Sequence, residues 1–147
     1  MSQTESHKSS RFFRALILFA ALLGFGGVTE VHAEPMTATV YYFHSTLRCA
    51  ECLEVERLAE EVLQQTFSSQ LSEGHLAWHA VNVDLPENTS FVFTFDLSAN
   101  ELVVACQQDG IVVSWDKLTD VWRMADDHEQ LRVSLVDLIR QALSRSN

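Results

Sequence analysis

The sequence predicts an α/β domain, a mixed four-stranded sheet with helices on both faces. Three observations carry this. Apolar, β-branched runs alternate with segments of helical periodicity in the order strand, helix, strand, helix, strand, strand, helix. The first two strands flank a helical crossover, which favours a parallel pair. The last two are joined by Gln107-Gln108-Asp109-Gly110, where Asp-Gly supports the positive φ of a tight hairpin, so they run antiparallel.

Residues 34–38 are a short lead-in containing Pro35. Thr39-Val40-Tyr41-Tyr42-Phe43 is the first strand, β-branched and aromatic as a buried strand needs. His44-Ser45-Thr46-Leu47-Arg48 makes a turn, and Cys49-Ala50-Glu51-Cys52 opens a helix. On that helix Val55, Leu58, Ala59, Val62, Leu63 and Thr66 share one side, with Glu54, Glu56, Arg57, Glu60, Glu61, Gln64 and Gln65 opposite. The helix fades near Ser68-Ser69, and Glu73-Gly74 is a stop signal. Leu76 to Val83 is the second strand, with Trp78, Ala80 and Val81 among its apolar positions. Pro86 and the run to Ser90 start a short helix whose apolar side is Phe91, Val92 and Phe95. Leu102 to Cys106 is a continuous apolar run, hence a central strand, and Ile111 to Trp115 is its hairpin partner. Leu118 to Met124 reads as a short helix. Asp127-x-x-Gln130 resembles a capping box and opens a last helix reaching about Leu143, with Leu131, Leu135, Leu138, Ile139 and Ala142 on one face.

Composition excludes some functions. The formal net charge is -10, and Lys117 is the only lysine after position 8. A nucleic-acid surface needs clustered Lys and Arg, so no nucleic-acid partner is expected. Hydrophobic content of 47% supports an ordinary globular core.

Residues 1–33 read as a cleavable signal peptide. Lys8, Arg11 and Arg14 form a basic start, and Ala15 to Val28 is apolar but short of the roughly 20 residues a bilayer span needs. Val31-His32-Ala33 places small residues where a signal peptidase needs them, so cleavage is expected after Ala33. The rival is an uncleaved anchor, which would be the only link to a membrane. Either way the domain at 34–147 leaves the cytoplasm for the periplasm or the medium, where disulfides persist. It keeps about 114 residues and a formal charge of about -11, enough to fold without extra staples.

The chemistry centres on Cys49 and Cys52. Two thiols three residues apart sit in the first turn of a helix fed by a strand. Free N–H groups and the positive dipole end there stabilise a thiolate. Such a pair can close a disulfide or bind a soft metal; a structural zinc needs a second pair, which the sequence lacks. Arg48 and the helix start should lower the Cys49 pKa, and Glu51 opposes that. His44 could shuttle protons or act as a third soft-metal ligand with Cys49 and Cys52, but a polar residue capping a strand is the simpler reading. His75 and His79 read as surface positions, and Trp115 and Trp122 as core or partner-facing rings.

Element order together with Cys49-Ala50-Glu51-Cys52 resembles the thioredoxin superfamily over nearly all of residues 34–147. More narrowly, Tyr41-Tyr42-Phe43-His44, Arg48-Cys49-Ala50-Glu51-Cys52, Val81-Asn82-Val83-Asp84 and the late Trp115 and Trp122 look like the small exported ArsF family, some of whose members are described as subunits of a nitrophenyl-compound nitroreductase. The resemblance implies that Cys49 is the attacking thiol and Cys52 the resolving one in thiol–disulfide exchange with a protein partner, without a cofactor. Two places depart from the superfamily pattern. Its cis-proline would fall near Glu101-Leu102, and no proline follows Pro86. Its buried acid, six residues before the first cysteine, is here Phe43. These departures point to a specialised partner. The alternatives are a module capturing a soft metal or arsenical, and a redox-silent subunit of an ArsF-type nitroreductase complex. Cys106 is the odd third cysteine. The resemblance makes its strand antiparallel to the first, which carries Cys106 away from the thiol pair and leaves it a small buried hydrophobe.

Overall fold

A computed structural model describes residues 35–98, 100–118 and 121–145, leaving aside the side chains of Trp122 and Arg123. All fall in one compact unit, Ala33–Asn147. The expected signal peptide and its cleavage point at Ala33 lie outside the described residues. Among the described residues no helix is long and apolar enough to cross a membrane.

The elements are β1 (Thr37–His44), α1 (Ala50–Thr66), α2 (Ser68–Ser72), β2 (Leu76–Asn82), a 3-10 turn (Pro86–Asn88), α3 (Thr89–Thr94), β3 (Glu101–Gln108), β4 (Ile111–Leu118), α4 (Val121–Met124) and α5 (His128–Arg145). The sheet order is β2-β1-β3-β4. β1 runs parallel to β2, and β3 is antiparallel to both β1 and β4. This is the mixed four-stranded sheet that the sequence implies.

β1 and β3 are central because both of their faces are apolar. Ala38, Val40 and Tyr42 of β1, with Leu102, Val104 and Cys106 of β3, point into a cluster closed by α1 and α5 through Val55, Leu58, Val62, Leu131, Leu135 and Ile139. Tyr41 and Phe43 of β1, with Val103 and Ala105 of β3, point the other way, into a smaller cluster with Phe95. That second cluster is largely aromatic. Phe95 packs 5.5 Å from Phe43, 5.6 Å from Tyr41 and, edge-on, 5.7 Å from Trp115. Phe43 is fully buried and stacks on Tyr41 at 5.4 Å.

The Asp109-Gly110 turn forms as expected, with φ of 53° and 75°. Beside it the register shifts between Cys106 and Gln107, where Gln107 pairs with Val112 and Cys106 with Ser114. The N–H of Gln130 donates to Asp127 Oδ1 at 3.0 Å, which caps α5.

Several expectations are corrected. Thr66 is exposed, and Phe67, the C-cap of α1, is buried in its place. The first helix ends at Thr66, two residues before Ser68, and a short second helix, α2, runs on to the stop at Glu73-Gly74. Ala80, on the edge strand β2, is exposed, although Leu76 and Val81 of the same strand are buried. Leu118 belongs to β4, so the helix there is only Val121–Met124. α5 continues past Leu143 to Arg145.

Candidate functional site

β1 ends at His44 and α1 begins at Ala50, so the cysteines occupy the mouth where strand hands over to helix. Cys49 is the N-cap of α1 and Cys52 its third residue. They are joined as a disulfide with Cα atoms 5.0 Å apart. The caps are reciprocal: the N–H of Cys52 donates to Cys49 Sγ at 3.1 Å, and the N–H of Cys49 donates to Cys52 Sγ at 3.2 Å. Sulfur here takes the place of the usual serine or aspartate oxygen, and it lies at the positive end of a 17-residue helix. The two sulfurs differ in access. Cys49 is half-buried, whereas Cys52 is 2% exposed.

Three groups fix this mouth. Tyr42, the last large side chain of β1 on the α1 face, donates its hydroxyl to the Cys52 carbonyl at 2.9 Å. Burial pushes the Tyr42 pKa up, and Arg48, which lies over the ring at 5.9 Å, partly opposes that. Asn100, just before β3, accepts from the N–H of Ser45 at 3.1 Å and donates to Cys52 Sγ at 3.2 Å. The third is a polar latch between the loops after β1 and β2. The N–H of Thr46 donates to Asp84 Oδ2 at 2.7 Å, and Asn82 Nδ2 donates to Thr46 Oγ1 at 3.1 Å.

Not every expected site residue acts as expected. Arg48 forms an ion pair with Glu56. Opposite charges that close together nearly cancel at a distance, so support for a thiolate falls mainly to the helix amides. Glu51 is exposed in the first turn of α1. His44 Nδ1 donates to the neighbouring carbonyl of Ser45 at 2.9 Å, a local bond at the strand end. Among the described residues no group of three His, Cys, Asp or Glu side chains is arranged to hold a metal ion, so His44 is not gathered with Cys49 and Cys52 into a ligand set. His79 stacks on Tyr41 at 5.7 Å, and His75 lies 3.8 Å from Glu73. Trp115 packs on the second cluster, while the Trp122 side chain lies outside the described residues.

No family model matches the chain, and a search of curated proteins gives no match. Solved structures do resemble it. Thioredoxin O2 of Arabidopsis thaliana, oxidised, is 18% identical at a TM-score of 0.39, covering 65% of this chain and 76% of its own. A thioredoxin from Thermus thermophilus is 22% identical at 0.37, covering 68% and 75%. The reduced thioredoxin pre-protein of Schistosoma mansoni is 18% identical at 0.37, covering 77% and 89%. The fold is thioredoxin-like. Strand order, strand direction and the helix crossover from β1 to β2 carry that assignment by themselves. Cys106 stands opposite Ala38 at the far end of the sheet, buried, with its Sγ 3.6 Å from the Ala142 carbonyl. It is a free thiol remote from the disulfide, as the antiparallel direction implied.

Sequence reasoning missed Asn100, Tyr42 as an anchor, and the Asp84 latch. Tyr42 carried a signal, because a phenol in a buried strand needs a partner for its O–H. Asn100 carried no such signal, since it meets Cys52 only across the sheet.

Proposed function

We propose that the protein is an exported thiol–disulfide exchange protein acting on one specific protein partner, with Cys49 as the attacking thiol and Cys52 as the resolving thiol. One observation supports this most. Of two linked sulfurs at a helix N-terminus, Cys49 is reachable and Cys52 is buried. The thiolate is the nucleophile, and a helix start favours it. In the reduced protein, Cys49 attacks a partner disulfide and forms a mixed disulfide. Cys52 then attacks Cys49 Sγ, closing the internal disulfide and releasing the partner as a dithiol. Two electrons pass to the partner. Leu47, 88% exposed just before Arg48-Cys49, offers apolar contact beside the reacting sulfur.

The resemblance to the ArsF family and the location in the periplasm or medium belong to this proposal. They rest on the residues quoted for the family and on the N-terminal segment.

A trapping experiment tests the roles. A Cys52→Ala variant should accumulate a mixed disulfide at Cys49, identifiable by mass after non-reducing purification. A Cys49→Ala variant should trap far less. Equal trapping by both variants, or none by either, would refute the assignment. The potential separates the redox-silent alternative, since a purely structural disulfide lies below about -300 mV.

A further inference from the structure

Asn100 touches one of the two reacting sulfurs, and its amide has a definite orientation. The N–H of Ser45 can only donate, so it takes Asn100 Oδ1, at 3.1 Å. That bond turns the Nδ2 amide toward Cys52 Sγ, at 3.2 Å. Cys52 Sγ therefore receives two donors, this amide and the N–H of Cys49 at 3.2 Å, inside a site where the residue is 2% exposed. A disulfide sulfur accepts only weakly. A thiolate in the same place accepts strongly, because bonds to an ionised acceptor are about twice as strong as neutral ones. The gain comes when charge appears on the sulfur, and the donor is already in position.

We propose that Asn100 stabilises Cys52 as the departing thiolate and so sets how readily the Cys49–Cys52 bond opens. The proposal deepens the exchange reading above and rests on it for its biological use. In the opening direction, a thiolate of a dithiol attacks Cys49 Sγ. The bond between Cys49 and Cys52 breaks, and its electron pair leaves on Cys52 Sγ, facing Asn100 Nδ2. The second thiolate of the dithiol then displaces Cys49 from the mixed disulfide. The dithiol becomes a disulfide, two electrons have moved to Cys49 and Cys52, and its two protons end on these thiols through solvent. A buried sulfur without donors is a poor leaving group, since leaving-group ability falls as thiol pKa rises. Asn100 offsets that cost. It also ties the start of β3 to the loop after β1, so the donor is held by a backbone contact 55 residues away in sequence.

Two measurements on the purified protein test this without any partner. The first is the rate of disulfide opening by dithiothreitol. The second is the ionisation of Cys52, followed by thiolate absorbance in a Cys49→Ser background. Asn100→Ala should raise the Cys52 pKa by about one unit, tenfold in the ionisation constant, and slow opening in parallel. Asn100→Asp keeps an oxygen for the N–H of Ser45 but loses the donor and adds a negative charge, so it should be worse than Asn100→Ala. Far-UV circular dichroism and urea unfolding establish that each variant is folded. If a folded Asn100→Ala protein keeps the wild-type pKa and rate, the proposal is wrong. If Asn100→Asp restores wild-type behaviour, Asn100 acts only by holding the loop, and the proposal is again wrong. Neither result bears on partner trapping by Cys52→Ala, so the two readings fail separately.

Discussion

Replacing Phe95 by alanine should cost about 3–5 kcal/mol, the usual range for deleting a fully buried phenyl ring. The structure puts this site in that range. Phe95 is 0% exposed and packs against Tyr41, Phe43, Phe91 and Trp115 at 5.5–6.1 Å. Among the described residues between Pro86 and Asn100 it is the one side chain that is fully buried. No helix or strand can slide in to fill the space, because β1 and β3 are fixed by their ladder and α3 has only six residues. A domain of this size has roughly 5–15 kcal/mol in total. At about 4 °C per kcal/mol, the midpoint should fall by about 12–20 °C. Urea unfolding followed by fluorescence gives the free energy, and calorimetry gives the midpoint. Phe95→Leu is the control, and it should recover more than half of the loss because most of the volume is restored. A loss below about 1 kcal/mol for Phe95→Ala, with an unchanged urea slope, would show that the second face of the sheet is not a packed core.

Three further outcomes are expected. Tyr42→Phe should cost about 1 kcal/mol at neutral pH by removing the bond to the Cys52 carbonyl. Because burial raises the Tyr42 pKa, the unfolded chain releases this proton first; stability should decline as pH rises above about 10, and that decline should shrink in Tyr42→Phe when unfolding is measured across the range. The hydrogen bond from Arg132, with help from Arg57, holds the Glu61 carboxyl below its ordinary value near 4.5. Its stabilisation is complete above that value and disappears as pH falls through the lowered pKa, so Glu61→Gln should flatten the acid limb of a stability profile. Cys106→Val should leave the rate of disulfide opening by dithiothreitol unchanged, since Cys106 faces Ala38 at the opposite end of β1 from the disulfide. A changed rate would mean that the two ends of the sheet communicate.

The parts of the fold written most plainly in the sequence were those with a strong periodic signal. Val40-Tyr41-Tyr42-Phe43 and Leu102-Val103-Val104-Ala105 are apolar on both faces, and both became central strands. The Asp109-Gly110 turn is a local conformational demand and was equally readable. Which apolar positions of β2 are covered was not readable, since periodicity cannot say which strand lies at an edge. Leu118 failed because a strand and a helix start both welcome a leucine there. In the site, spacing singled out Cys49 and Cys52 as a pair but left open whether they close a disulfide or bind a soft metal; the structure joins them. The charge on Arg48 was not readable in the same way, since Glu56 lies two helical turns beyond it and takes it as a partner. Asn100 reaches the sulfurs only through the pairing of Phe43 with Glu101, which places the ends of β1 and β3 side by side. No window of neighbouring residues contains that fact.

The contact between Ser45 and Asn100 also orders events in time. Cys49 and Cys52 are three residues apart and can join in an almost unstructured chain. Ser45 and Asn100 are 55 residues apart and lie just beyond the Phe43–Glu101 end of the β1–β3 ladder, so they meet only when that end of the ladder forms. Early in folding, the newly formed disulfide should open at the rate of an ordinary short peptide loop. Its mature reactivity should arise in the step that joins β1 to β3. The rate at which a small dithiol opens the bond then serves as a clock for the pairing of β1 with β3, and pulsed dithiothreitol during refolding would read it directly.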